Sequence, residues 1–178
     1  MEKTVARWQL AGFVFTSALG TFLHFLFDLC GGSAIAALVS AVNESIWEHI
    51  KLVFYPMVCF AMIEYRFIGK EIEGFWGIKL CGIVLAMSLV PICYYTYTGA
   101  LGISSDWINI LIFFFSAAAA YWVESKLIMR NYQPRISSAS AVAVICSVAA
   151  AFVVLTFLTP RLPIFRDPIS GAYGYFGK

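Results

Sequence analysis

Charge is scarce in this 178-residue chain: Asp, Glu, Lys and Arg together make up 12% of it, about half of what soluble domains carry (~25%). With 61% hydrophobic residues and a mean hydropathy of +0.84, so few charges cannot clothe a surface in water, and an integral membrane protein is the expected class. A basic block is also missing. The formal net charge of +2 and pI of 8.3 come from Lys and Arg scattered between apolar runs, which excludes nucleic acid and leaves membrane lipids and a small molecule or ion as partners. None of the five cysteines (Cys30, Cys59, Cys81, Cys93, Cys146) belongs to a C-x-x-C pair, so neither a thiol relay nor a zinc ribbon is indicated. Cys30 and Cys93 would fall near the same membrane face, but apolar packing is the expected role of the cysteines. Only two histidines are present, and their spacing fits no H-E-x-x-H motif. No internal repeat is visible, and the length is too small for a transporter of two large repeats. A single membrane domain over residues 1–178 is expected, with oligomerisation open.

What the chain has is apolar runs of spanning length. Crossing ~30 Å of hydrocarbon takes ~20 residues, and residues 8–28, 45–67, 74–97, 107–129 and 137–159 qualify. The expected fold is therefore all-α, a polytopic bundle of five transmembrane helices. The first run, although basic at its start, is longer than a signal-peptide core and reads as a retained helix. Between the first two spans, SAIAALVSAV (Ser33 to Val42) is apolar but only ten residues long and follows Gly31–Gly32. It is too short to cross and is expected to lie in the interface or re-enter, where it could roof a pocket.

Basic residues alternate between loops. Lys3 and Arg7 precede the first span, Arg66 and Lys70 follow the second, and Lys126, Arg130 and Arg135 surround the fourth connection. The positive-inside rule then predicts a multi-pass protein of the cytoplasmic membrane with its N-terminus inside and its tail, residues 160–178, outside. Arg161, Arg166 and Lys178 in the tail run against this trend, but the upstream loops agree with one another.

A charged group at membrane depth is costly and marks a functional hypothesis. Such groups crowd toward the end expected to face out. Ser17, Gly20, Thr21, His24 and Asp28 recur at three- and four-residue spacings on the first span, a small and polar stripe expected to face other helices. The second span opens NESIWEHIKLVFYP, with Asn43, Glu44, Ser45, Glu48, His49 and Lys51 inside nine residues. On a helix, Glu44, Glu48, Lys51 and Tyr55 share one face and Ser45 and His49 the adjacent strip, so both strips are expected to line one cavity. Capping explains part of this density: Ser45 to Glu48 reads as a capping box, and acidic residues suit a helix N-terminus. It leaves His24, Asp28, His49 and Lys51 without a role.

Two imidazoles with a choice of Asp28, Glu44 and Glu48 could hold Zn²⁺, Fe²⁺ or Mn²⁺. The same groups could instead form a protonatable relay that binds a cation or an amine. Tyr94, after Pro91 in PICYYTYTG, is the tyrosine expected to face the same cavity, while its neighbours form an aromatic belt. Glu64, Arg66, Glu124, Lys126 and Arg130 lie near helix ends at the other side, where charges snorkel and pair. The tail, rich in Pro, Gly and aromatics, is expected to fold back and could lid the cavity.

The motif NESIWEHIKL, the upstream H-x-x-x-D of His24 and Asp28, and the tail pattern F-x-D-P-x-x-G-x-Y-G (Phe165 to Gly174) together resemble a family of small bacterial integral membrane proteins with no established activity. The resemblance spans most of the chain and implies that these motifs travel together, as one shared outer site would require. In outline the chain is also similar to five-helix translocator proteins, whose local motifs it lacks, and to membrane hydrolases related to alkaline ceramidases, whose additional zinc-binding histidines it lacks. Three functions follow as expectations: a binding or transport protein for a cation or small polar solute, with ligand-binding residues His24, Asp28, Asn43, Glu44, Glu48, His49, Lys51 and Tyr94; a metal-dependent hydrolase of a lipid or lipid-linked substrate; and a structural or assembly partner. Whether the protein is an enzyme stays open at this point.

Overall fold

The computed structural model describes residues 2–177 and is built of helices. Five of them, α1 (Glu2–Leu29), α3 (Ile46–Phe67), α4 (Phe75–Leu101), α5 (Asp106–Met129) and α6 (Ser138–Phe157), are long and apolar enough to cross a membrane. The short α2 (Ala34–Ala37) lies between the first two, and single 3-10 turns follow α3 (Gly69–Glu71) and open the tail (Pro163–Phe165). The expected spans match to within about four residues, except that α1 begins six residues before the expected start at Trp8, because an apolar run marks only the hydrocarbon-crossing part of a helix. Where the helix outruns it, backbone chemistry sets the end: α4 continues to Leu101 and stops at Gly102, whose φ of 68° ends the helix in the left-handed region. Lys178 of the tail lies outside the described residues.

Helices α1, α3, α4 and α5 close a ring, each packed against its two neighbours, and α6 lies outside it against α4 and α3. Helix α3 is the most buried of the five, with Val53, Phe54, Met57 and Phe60 in the main core beside Ile83, Ala86, Ala120 and Phe152. Glycine lets α1 approach it: a Cβ on Gly20 would come within 2.5 Å of the Leu52 carbonyl oxygen. The core is largely apolar, yet exposure departs from that of a soluble protein. Leu10, Val14 and Phe22 on α1 and Trp107, Leu111, Phe115 and Trp122 on α5 face outward, while Gln9, Thr16, Glu48, Lys51, Glu64, Lys79 and Glu124 are buried. Only hydrocarbon makes that distribution favourable.

Two features depart from expectation. The buried stripe of α1 is Gln9, Gly12, Thr16, Gly20, Leu23 and Phe27, one strip over from the polar one, so Thr21 and Asp28 are exposed and His24 sits at the stripe's edge. All five cysteines are free, and Cys30, Cys81 and Cys146 are exposed rather than core; a small apolar side chain costs nothing against lipid. At the start of α5 the N-cap residue, Ser105, makes no side-chain cap bond among the described residues. Instead Tyr97 ties the α4–α5 turn, accepting from the Ser105 N–H at 3.2 Å and donating to Asn109 at 2.6 Å.

The tail folds back, as expected. Tyr175 N–H donates to the Thr156 carbonyl (2.9 Å) and its hydroxyl to the Gly32 carbonyl (3.1 Å), and Phe165 packs on Trp47, which also meets Phe152. The F-x-D-P-x-x-G-x-Y-G motif is thereby explained as a turn: buried Asp167 accepts from Ile169 N–H and Ser170 hydroxyl. Gly174 (φ 58°) lies where a Cβ would collide with Thr159.

Candidate functional site

The start of α3 is fixed by its own side chains. Asn43 accepts from the Ser45 N–H (3.0 Å), and Ser45, the N-cap, accepts from the Glu48 N–H (3.4 Å). Only half of the expected capping box forms, since Glu48 does not reach back. Glu44, caught in the turn before the cap, is not helical, so its side chain leaves the face that a helical wheel gives it. It swings toward α1, where His24 stands one turn from the helix end.

Three of the expected residues meet there. Glu44 Oε2 is 3.4 Å from His49 Nε2 and 3.7 Å from His24 Nε2, the imidazoles meet edge to face with centroids 5.4 Å apart, and one ligand atom from each residue falls within a 4.8 Å group. The cluster is partly exposed, with side chains 31%, 41% and 23% accessible for His24, Glu44 and His49. His49 Nδ1 lies 2.9 Å from the Ser45 carbonyl oxygen. A carbonyl only accepts, so Nδ1 carries the hydrogen and Nε2 presents a lone pair to the cluster unless the ring is protonated. The imidazole of His24, as a hydrogen-bonding partner, holds the Glu44 carboxyl below its usual range; partial burial opposes this and the charge of His49 adds to it. At 3.7 Å the His24 contact is longer than a formed hydrogen bond, so we attribute its effect to charge rather than to a closed bond.

The other expected residues do not join. Asp28 is exposed at the end of α1 and acts on His24 only through its charge. Glu48 and Lys51, expected to line the same cavity, are buried in a separate cluster: Lys51 Nζ lies 2.5 Å from Glu48 and donates to the Ala37 carbonyl (3.2 Å) and Thr156 hydroxyl (3.0 Å), while Glu48 accepts from Val42 N–H (3.1 Å). Every strong partner is internal to the protein, so this pair anchors α2 and α6 to α3. The SAIAALVSAV segment roofs that pair, not the histidines. Asn43 is spent on the turn and a 3.5 Å contact to the Gly174 carbonyl. Tyr94 packs against Tyr95, Tyr97 and the main core. A crevice of about 530 Å³ at the far end and a groove of about 630 Å³ under the tail are lined by other residues, so the histidine cluster is a shallow site rather than part of either.

A second polar centre was only half legible. Glu64 and Glu124, expected to snorkel, are wholly buried, and both reach Lys79 Nζ at 2.5 Å. Gln9 donates to Glu64 (2.7 Å), and Thr16 and Tyr121 share a hydrogen bond (2.8 Å) one turn further in. Gln9 and Lys79 went unnoticed in the sequence. The signal that could have found Lys79 is its isolation in GFWGIKLCGIVLAM, a lone cation at membrane depth.

Comparison with known proteins adds one finding. A family model described as "Family of unknown function (DUF6512)" matches residues 1–175, and the chain belongs to that family. No curated protein and no solved structure matches it.

Proposed function

We propose that this DUF6512 member is a multi-pass membrane protein that binds a divalent transition-metal cation at His24, Glu44 and His49, from the side opposite the cytoplasm. The observation that carries this reading is the convergence of two imidazole nitrogens and one carboxylate oxygen. Bonds of about 2.0–2.1 Å at a tetrahedral angle set donor atoms about 3.3 Å apart, close to the 3.4 and 3.7 Å separations here. Such a set suits Zn²⁺, Fe²⁺ or Mn²⁺. Backbone acceptance of the His49 Nδ1 hydrogen is the outer-shell bond that ligating histidines commonly make. A cation fits better than a polar solute because the three groups offer electron pairs to one point. Lys3, Arg7, Arg66, Lys70 and Arg130 gather at the other end, and this bias supports an inside N-terminus.

A hydrolytic reading draws on one feature of the same site: three protein donors leave a fourth position open, as catalytic metals require, and Asp28 stands one turn beyond His24. Reconstitution into vesicles loaded with a metal-sensitive dye tests between them. Zn²⁺, Fe²⁺ or Mn²⁺ entry that is lost in His24→Ala supports cation transport. Binding without entry, with metal-dependent release of product from a lipid ester, would instead favour the hydrolase.

A further inference from the structure

The second polar centre sits at the opposite end of the bundle from the histidines, and its charges do not balance. Two carboxylates, Glu64 of α3 and Glu124 of α5, face one ammonium, Lys79 of α4, and all three side chains are at most 2% exposed. With every group ionised, one negative charge would stand uncompensated in a low-dielectric interior, which costs several kcal/mol for each unpaired ion (of order ~20 in the Born limit). A single positive charge must therefore be supplied.

Packing limits what can supply it. Lys79 Nζ fills the space between the two carboxylates, and a Cβ added to Gly82 would overlap the Glu124 carboxyl group. There is no gap for a metal ion with its shell of oxygens. A proton needs none. Its position follows from the partners of the four oxygens: Glu64 accepts from Gln9 at Oε1 and meets Lys79 at Oε2, and Glu124 meets Lys79 at Oε2, whereas Oε1 of Glu124 is buried with no hydrogen-bond partner among the described residues. The groups facing Glu124 are Lys79 and Cys81 from α4, Glu64 from α3 and Tyr121 of its own helix, with Gln9 of α1 reaching Glu64; none of these supplies the missing charge.

We propose that the Glu64–Lys79–Glu124 cluster is a proton-binding site that holds one exchangeable proton on Glu124. The step is a simple ionisation: the carboxyl O–H bond breaks, its electron pair stays on the oxygen, and the proton passes to water. An open crevice begins about one helical turn away. The crevice at this end is lined by Val5, Ile68, Ile78 and Ile128, which lie four residues from Gln9, Glu64 and Glu124 and one from Lys79. Buried Val5, Ile78 and Ile128 form an apolar plug that separates the proton from the crevice and must part for exchange. This site stands on its own residues and does not depend on the metal reading.

Infrared spectroscopy of the full-length protein in lipid, in H₂O and D₂O at neutral pH, tests it. A protonated-carboxyl band is expected in the wild type, shifted in D₂O, lost in Glu124→Gln, lost also in Glu64→Gln, where Lys79 and Glu124 balance without a proton, and kept in Glu44→Gln. Glu124→Gln, which mimics the protonated acid, is expected to fold. Absence of the band in the wild type, its survival in Glu124→Gln, or its removal by Na⁺ in place of K⁺ would overturn the proposal. Should Glu124→Gln fail to fold, retention of the band in Glu64→Gln or its loss in Glu44→Gln would overturn it, and loss in the first with retention in the second would support it.

Discussion

His49 Nδ1 donates to the carbonyl oxygen of Ser45, the residue that caps its own helix, across 2.9 Å. One local bond thus couples the start of α3 to the chemistry of the cluster. It fixes the ring's orientation and turns Nε2 toward Glu44 and His24. A proton and a metal ion then compete for the same lone pair, so metal affinity is expected to fall on acidification.

Glu44 sets a second pH limit. Its folded-state carboxyl titrates below the ordinary value of 4.5, so the stability it contributes is present above 4.5 and lost as pH falls through the lowered value. Thermal unfolding of metal-free wild type and Glu44→Gln should differ most between this acid limit and the loss of imidazolium charge, and converge at more acid pH. A difference that keeps growing as pH falls below the ordinary carboxylate value of 4.5 would contradict the assignment.

Close approach of α1 and α3 is what joins the histidines. Gly20→Val should force the Leu52 carbonyl and Phe113 away, at a cost of about 1–3 kcal/mol for overpacking, and weaken metal binding although residue 20 touches no donor. Isothermal titration beside thermal unfolding checks both halves. Unchanged affinity at reduced stability would separate helix spacing from the site.

The Glu48–Lys51 pair should behave as structure. Lys51→Met strands a buried carboxylate and is expected to cost about 3–5 kcal/mol, while leaving metal stoichiometry unchanged in protein that remains folded. Loss of metal with retained stability would return Lys51 to the site.

The tail strap is smaller in effect. Tyr175→Phe removes the hydroxyl bond to the Gly32 carbonyl and should lower stability by about 0.5–1.5 kcal/mol. Faster proteolysis at Gly31–Gly32 is the accompanying expectation, and protection equal to wild type would show that the strap does not hold that turn.

Sequence and structure agree where the information is local and repeated. Twenty apolar residues define a span whatever their neighbours, which is why α3 and α5 begin and end within a residue or so of expectation. The site was legible as a set of residue types but not as a partition. Glu44 and Glu48 share a face only if both are helical, and the Asn43–Ser45 turn places Glu44 outside the helix, so one carboxylate joins the histidines and the other joins Lys51. Glu64 and Glu124 looked like helix-end charges because their partner, Lys79, comes from a third helix and has no local signature. Long-range pairing, not helix propensity, decided each of these.

Metal content is the most direct measurement: mass spectrometry of wild-type protein purified without chelator, beside a folded His24→Ala/His49→Ala variant. One equivalent or nearly so of Zn, Fe or Mn in the wild type, absent from the variant, is the expected result. A folded wild type that carries no metal and takes up none on titration with Zn²⁺, Fe²⁺ or Mn²⁺ would contradict the assignment of His24, Glu44 and His49 as a cation site.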